Sequence, residues 1–218
     1  MTPEERLADW ARESPRFRGF ADAHAAKIRK KLRIASDAES RRDVQVELDV
    51  ARSLLADRRF EVAYEAYGVG RLGPDFTVTF RGGERFNVEV TRLRGAATPD
   101  AIGRVMLAKL RQLPKESANV LVVIADDQGP DASTLDAVAR SLRQRADRRD
   151  ETVLVGAGVR DSRAFYGRFL RLSAVIVWAE SGAGDRRAEP WTNPSARHHV
   201  SPPALRACLG CLVAAETR

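Results

Sequence analysis

Gly73-Pro74-Asp75, Phe76-Thr77-Val78-Thr79-Phe80, Arg81-Gly82-Gly83-Glu84 and Phe86-Asn87-Val88-Glu89-Val90-Thr91 form the stretch that decides the fold. Apolar and polar residues alternate on both sides of a glycine-containing turn, the period of two that strands with one buried face require. The spacing predicts a β-hairpin. With Phe80 and Phe86 flanking the turn, Val78 faces Val88, Phe76 faces Val90 and Asp75 faces Thr91. Phe76, Val78, Phe80, Phe86, Val88 and Val90 then make one apolar face; Asp75, Thr77, Thr79, Asn87, Glu89 and Thr91 make the other. Asp75 and Glu89 lie diagonally across the two strands, a relation that spans ~7–8 Å. Two like charges at that distance repel unless a cation lies between them, so the pair reads as a metal-type acidic site suited to Mg2+. The competing reading is a polar strand surface facing water, which a sheet covered on both faces disfavours.

Upstream, residues 39–57 predict a helix whose apolar stripe is Val44, Leu48, Ala51, Leu54 and Leu55. Glu47 interrupts that stripe, and a buried carboxylate needs a base, a hydrogen-bond network or a metal. Glu39, Asp43 and Asp49 do not share its placement. Thr2-Pro3-Glu4-Glu5 predicts a helix start, and a second helix over 18–34 carries Lys27, Arg29, Lys30, Lys31 and Arg33. That cluster reads as a solvated face, with a phosphate-binding face as the alternative. Residues 60–67 predict a strand, closed by Gly68, Gly70 and Gly73. Downstream, the reading runs through a helix at 99–113, a buried strand at 119–125, a helix at 131–147, a short strand at 153–157, a helix at 160–171, a strand at 173–178, a loop from 181 and a helix at 202–215. Strands alternating with helices after a leading hairpin predict an α/β fold, a mixed sheet flanked by helices. Residues 1–38 are read as an N-terminal helical extension and 39–218 as the α/β domain.

The 218 residues are 44% hydrophobic and 31% charged, a globular composition that excludes a disordered or fibrous chain. No apolar run approaches the ~20 residues of a membrane span, and no signal-peptide pattern opens the chain, so a cytoplasmic protein without a membrane partner is expected. The net charge of +7 favours polyanionic partners, although arginine dominates it and only five lysines occur, at 27, 30, 31, 109 and 115.

Gly73-Pro74-Asp75, a turn, and Val88-Glu89-Val90-Thr91, preceded by a helix bearing Glu47, resemble the PD-(D/E)XK nuclease superfamily over residues 40 to 125. The resemblance implies a restriction-endonuclease-like fold and metal-assisted phosphodiester hydrolysis with Mg2+ or Mn2+. Asp75 and Glu89 would hold the ion, and Glu47 would take a second ion or a water. Nucleic acid, DNA more than RNA, is the implied partner, and a homodimer is common on this fold. The motif lysine is replaced by Thr91, which can hold a water but supplies no charge. Divergent members carry the basic residue on the following helix, where Lys109 and Gln112 are the candidates. Lys109 shares a side with Val105 and Met106, so its stem reaches along the core edge toward the acids. Arg92 and Arg94 point outward or past the strand end; among so many arginines they read as surface charge, with contact to a phosphate backbone as the alternative. The alternative is a binding module on the same fold, its catalysis lost with the lysine.

Other signals are weaker. Cys208 and Cys211, with His198 and His199 upstream, suggest zinc, but the thiols fall on an apolar stripe and read as core. Gly156 and Gly158 lack the rest of a dinucleotide fingerprint, and neither a phosphate loop nor a nucleophile elbow occurs. His24 lies on the basic helix without an evident partner.

Overall fold

The computed structural model describes residues 2–67, 73–125, 129–150, 158–180 and 186–214. Among these residues, six strands form one open mixed sheet in the order of the chain: β1 (Phe60–Tyr64), β2 (Phe76–Phe80), β3 (Glu84–Leu93), β4 (Ala118–Ala125), β5 (Ala174–Glu180) and β6 (Arg186–Thr192). β1–β2–β3 is an antiparallel meander; β3, β4 and β5 run parallel, and β6 returns antiparallel at the edge. The α/β expectation of a mixed sheet flanked by helices is met.

Among the described residues, eight α-helices cover the two faces. α1 (Pro3–Glu13), α2 (Pro15–Ala23), α3 (Ala25–Ile34), α4 (Ala38–Ala56) and α8 (Pro202–Val213) lie on one; α5 (Pro99–Lys109), α6 (Ala132–Asp147) and α7 (Ser162–Phe169) lie on the other. Each face closes its own core. The first gathers Trp10, Phe17, Phe20, Leu48, Phe60, Phe76, Phe86 and Val88; the second gathers Ile102, Met106, Leu121, Val123, Phe165 and Phe169. Burying each large apolar side chain contributes roughly 1.5–3 kcal/mol. β4 is buried along its whole length, as its continuous apolar run predicts for a central parallel strand.

The helix starts follow local chemistry. Thr2 and Glu5 form a reciprocal capping box ahead of Pro3, and the Asp37 carboxylate accepts the Ser40 N–H at 2.8 Å to open α4. The single helix expected over 18–34 is instead two, broken at His24, whose φ of −113° and ψ of 13° leave the helical region. The first three helices share the core of the hairpin.

Two other differences have physical causes. β6 runs through residues read in part as loop; its Pro190 lacks an N–H, which an edge strand tolerates. The helix after β3 ends at Lys109 and tightens into one 3-10 turn, Leu110–Gln112. The short strand expected at 153–157, Gly68, Gly70, and positions 181–185 of the predicted loop lie outside the described residues.

Candidate functional site

The hairpin register differs from the expected one by two residues. Phe76 pairs with Val88, Val78 with Phe86 and Phe80 with Glu84, so a three-residue turn connects the strands. Arg81 and Gly82 take positive φ, 50° and 70°, which Gly82 adopts without strain and Arg81 does not advertise in the sequence. Because side chains alternate with a period of two, a two-residue shift preserves every face assignment. It does change who meets whom: continued past its last pair, the register aligns Asp75 with Glu89 rather than with Thr91.

Asp75 stands just before β2 begins, where β3 extends beyond its partner. Its Oδ2 accepts the Val90 N–H at 2.8 Å, taking a ladder donor on β3. The carboxylate therefore lies beyond the end of β2, level with the β3 backbone between the two helical layers, and not simply on one face. Two residues earlier, Gly73 lets the Tyr67 side chain pack closely: a Cβ there would lie 2.8 Å from Tyr67 Cβ.

From one layer, α4 presents Glu47, which is buried on the stripe as expected. Its partner is Lys31 of α3, whose Nζ lies 2.6 Å from both Glu47 carboxylate oxygens and 3.3 Å from Asp75 Oδ1. Glu65 Oε1 is further out, 3.7 Å from the same nitrogen, and the Tyr64 ring centroid is 5.4 Å away. One ammonium thus serves two carboxylates. Burial, then Asp75, push Glu47 up to about 8 against the pull of Lys31. Burial works against the charge on Lys31, but Glu47 and Asp75 outweigh it and hold its pKa above the ordinary lysine range. Two influences pull in opposite directions on Glu47: burial and Asp75 favour its protonated form, while the ammonium seated on both of its oxygens favours the carboxylate. The two-oxygen contact identifies the ion pair as the arrangement present.

From the other layer comes Lys109. Its Nζ, at the last residue of α5, lies 2.6 Å from Glu89 Oε1. Glu89 is 1% exposed, and burial followed by the charge of Asp75 raises its pKa to about 7, with Lys109 opposing. Its second oxygen, Oε2, is buried and has no hydrogen-bond partner among the described residues. A buried acceptor left open is costly, and a hard cation or its water satisfies one. The donor set of Asp75, Glu89 and Glu47, all carboxylate, suits such an ion. No group of three or more His, Cys, Asp or Glu side chains is gathered into a metal-holding arrangement among the described residues.

Thr91 follows Glu89 on the same face, half-buried, and Gln112 is half-buried in the 3-10 turn beyond Lys109. Among the described residues, Gln112 makes no hydrogen bond to the three acids. Arg92 does not reach outward: its guanidinium is buried and pairs with Glu39 and Asp43 of α4, while Arg94 also binds Asp43, at 2.7 Å. Two acids on the solvent side of α4 captured these arginines. Asp49, read as outside the buried set, is buried as well, 2.9 Å from Arg52 and 3.1 Å from Arg186. Cys208 and Cys211 are buried free thiols in the first core, as their stripe predicted. His24 packs edge-on to Phe20, with ring centroids 4.9 Å apart.

Lys31 is the residue whose position the sequence concealed. The signal was its spacing from Ile28 and Leu32, both buried, which turns Lys31 and Lys27 inward while Arg29, Lys30 and Arg33 stay exposed. Lys27 Nζ donates to the backbone oxygens of Tyr64 and Glu65 at 2.9 and 3.0 Å, fastening α3 to the end of β1.

No helix among the described residues is long and apolar enough to cross a membrane. No family model matches the chain, and neither the curated proteins nor the solved structures yield a significant match.

Proposed function

We propose that this chain is a Mg2+- or Mn2+-dependent nuclease of the restriction-endonuclease-like fold, hydrolysing phosphodiester bonds of nucleic acid, DNA in preference to RNA. One observation carries the reading: Lys109 brings its ammonium to 2.6 Å from Glu89, so a positive charge stands beside the acid that the Thr91 position leaves without one. The side chains that would hold a divalent ion are Asp75 and Glu89, with Glu47 behind them. When bound, such an ion supplies Lewis-acid polarisation of the phosphate and eases ionisation of a water. Lys109 orients Glu89 and offers charge to a phosphate that grows more anionic during attack. Thr91 holds a water by hydrogen bond. Burial on both sides of β3 strengthens each of these interactions relative to bulk water. The net charge of +7 and the exposed Arg29, Lys30 and Arg33 on α3 favour a polyanionic substrate. A homodimer acting in the cytoplasm belongs to the same proposal.

A second reading, a catalytically inactive binding module, is favoured by Lys31 lying between Glu47 and Asp75, where an ion would otherwise bridge them. Incubating DNA and RNA with Mg2+ or Mn2+ separates the two. Cleavage that disappears in Asp75→Ala and Glu89→Ala supports the nuclease. Cleavage surviving both substitutions rejects the site, and nucleic-acid binding without cleavage by the wild type favours the second reading.

A further inference from the structure

We propose that Lys31 is the built-in counter-ion of the acidic site, which a divalent cation must displace before it can bridge Glu47 and Asp75. The inference rests on the reading of these acids as cation ligands, but it concerns a residue outside the resembling segment. The Lys31 ammonium touches both oxygens of Glu47 at 2.6 Å and Asp75 Oδ1 at 3.3 Å, so its single positive charge stands between two carboxylates that would otherwise repel. A divalent ion and an ammonium cannot both occupy that position.

Displacement is mechanically simple. The Lys31 side chain is 31% exposed, so it has a path to water. Glu65, 43% exposed and 3.7 Å from Nζ, is an outer carboxylate toward which the ammonium can move. The helix need not follow, because Ile28 and Leu32 remain in the core and Lys27 stays bound to Tyr64 and Glu65 backbone oxygens. Lys109 differs: it touches Glu89 Oε1 alone and leaves Oε2 open, so it accompanies an ion rather than excluding one.

The test is Mn2+ binding by calorimetry to wild type, Lys31→Met and Lys31→Gln, with melting temperatures in chelator and in Mn2+. Loss of the competing charge strengthens Mn2+ binding about tenfold or more, and the ion raises the melting temperature of the variants more than that of wild type. In chelator both variants melt below wild type, because two carboxylates lose the positive charge between them. A structural role alone predicts the lower melting temperature without tighter Mn2+ binding. Mn2+ binding that is equal or weaker in both variants overturns the inference and leaves the nuclease reading intact. Absence of Mn2+ binding in all three proteins overturns both. Tighter binding in either variant supports the inference even where wild type cleaves no nucleic acid; Lys31→Gln, which keeps a polar end group, carries the test if Lys31→Met fails to fold.

Discussion

The Lys109 ammonium, at the C-terminal end of α5, meets Glu89 Oε1 in the middle of β3 at 2.6 Å. A helix residue and a strand residue 20 positions apart are thereby joined at the boundary between sheet and helical layer. Removing this charge in Lys109→Ala lowers cleavage by roughly 100–1,000-fold, the usual effect of deleting one electrostatic catalytic group. Lysine restored from the strand, as Lys109→Ala with Thr91→Lys, recovers part of the loss, because Thr91 shares the face of Glu89. Single-turnover cleavage rates of the three variants check this; a double variant no better than Lys109→Ala refutes the compensation.

Asp75→Asn and Glu89→Gln keep shape while removing charge. Both abolish Mn2+ binding measurable by calorimetry, yet Asp75→Asn retains an oxygen for the Val90 N–H and so keeps the hairpin. Circular dichroism identical to wild type together with lost Mn2+ binding is the expected pair of results.

Proton binding gives the site a pH signature. Glu89 holds its proton more tightly folded than unfolded, its pKa rising from the ordinary 4.5 to about 7. A folded state that binds the extra proton is most stabilised below pH 4.5 and loses that contribution as pH rises toward 7. Cation affinity runs the opposite way, increasing over the same interval as the carboxylate is freed. His24 opposes the carboxyl trend, because burial, then Lys27, lower its pKa. The Glu89 contribution is therefore read as the difference between wild type and Glu89→Gln in chelator: the wild type loses more stability than the variant between pH 5 and 8. Parallel pH profiles refute the assignment.

Asn119 is a control distant in chemistry from the acids. Its Nδ2 donates toward the Pro114, Ser117 and Arg171 carbonyl oxygens at 2.8–3.0 Å, and its Oδ1 accepts from Asn87 at 3.0 Å. Asn119→Ala leaves several buried groups without partners, each costing ~1–3 kcal/mol, so chemical denaturation shows a fall of at least that order. Mn2+ affinity of the folded fraction is unchanged.

Alternation made the hairpin, its apolar face and its acid-bearing face legible, because a period of two admits few other structures. Glu47 was legible for a related reason: a carboxylate on an apolar helical stripe demands a partner. Its partner was not, since Lys31 sits among five basic residues on one helix and only the depth of Ile28 and Leu32 distinguishes inward from outward. Register was hidden because a positive φ at Arg81 comes from the closing geometry of the turn and leaves no mark in residue type. Pro190 and the charged Arg186, Arg187 and Glu189 likewise disguised an edge strand, whose requirements are looser than those of β4. Arg92 was misjudged because its burial depends on Glu39 and Asp43, contributed by a helix roughly fifty residues earlier.

The three-residue turn between β2 and β3 makes this molecule sensitive to parity. Lengthening the turn by one residue would exchange the two sides of one strand, driving Glu89 among Phe76 and Phe80 and turning Phe86 and Val88 toward Lys109. Lengthening it by two would leave every side in place and merely slide Asp75 along β3. Insertions and deletions in this loop thus fall into two kinds, odd changes that destroy both core and acids together and even changes that retune the distance between acids on an intact sheet. A short surface loop far from the carboxylates governs which of their rearrangements the chain can explore.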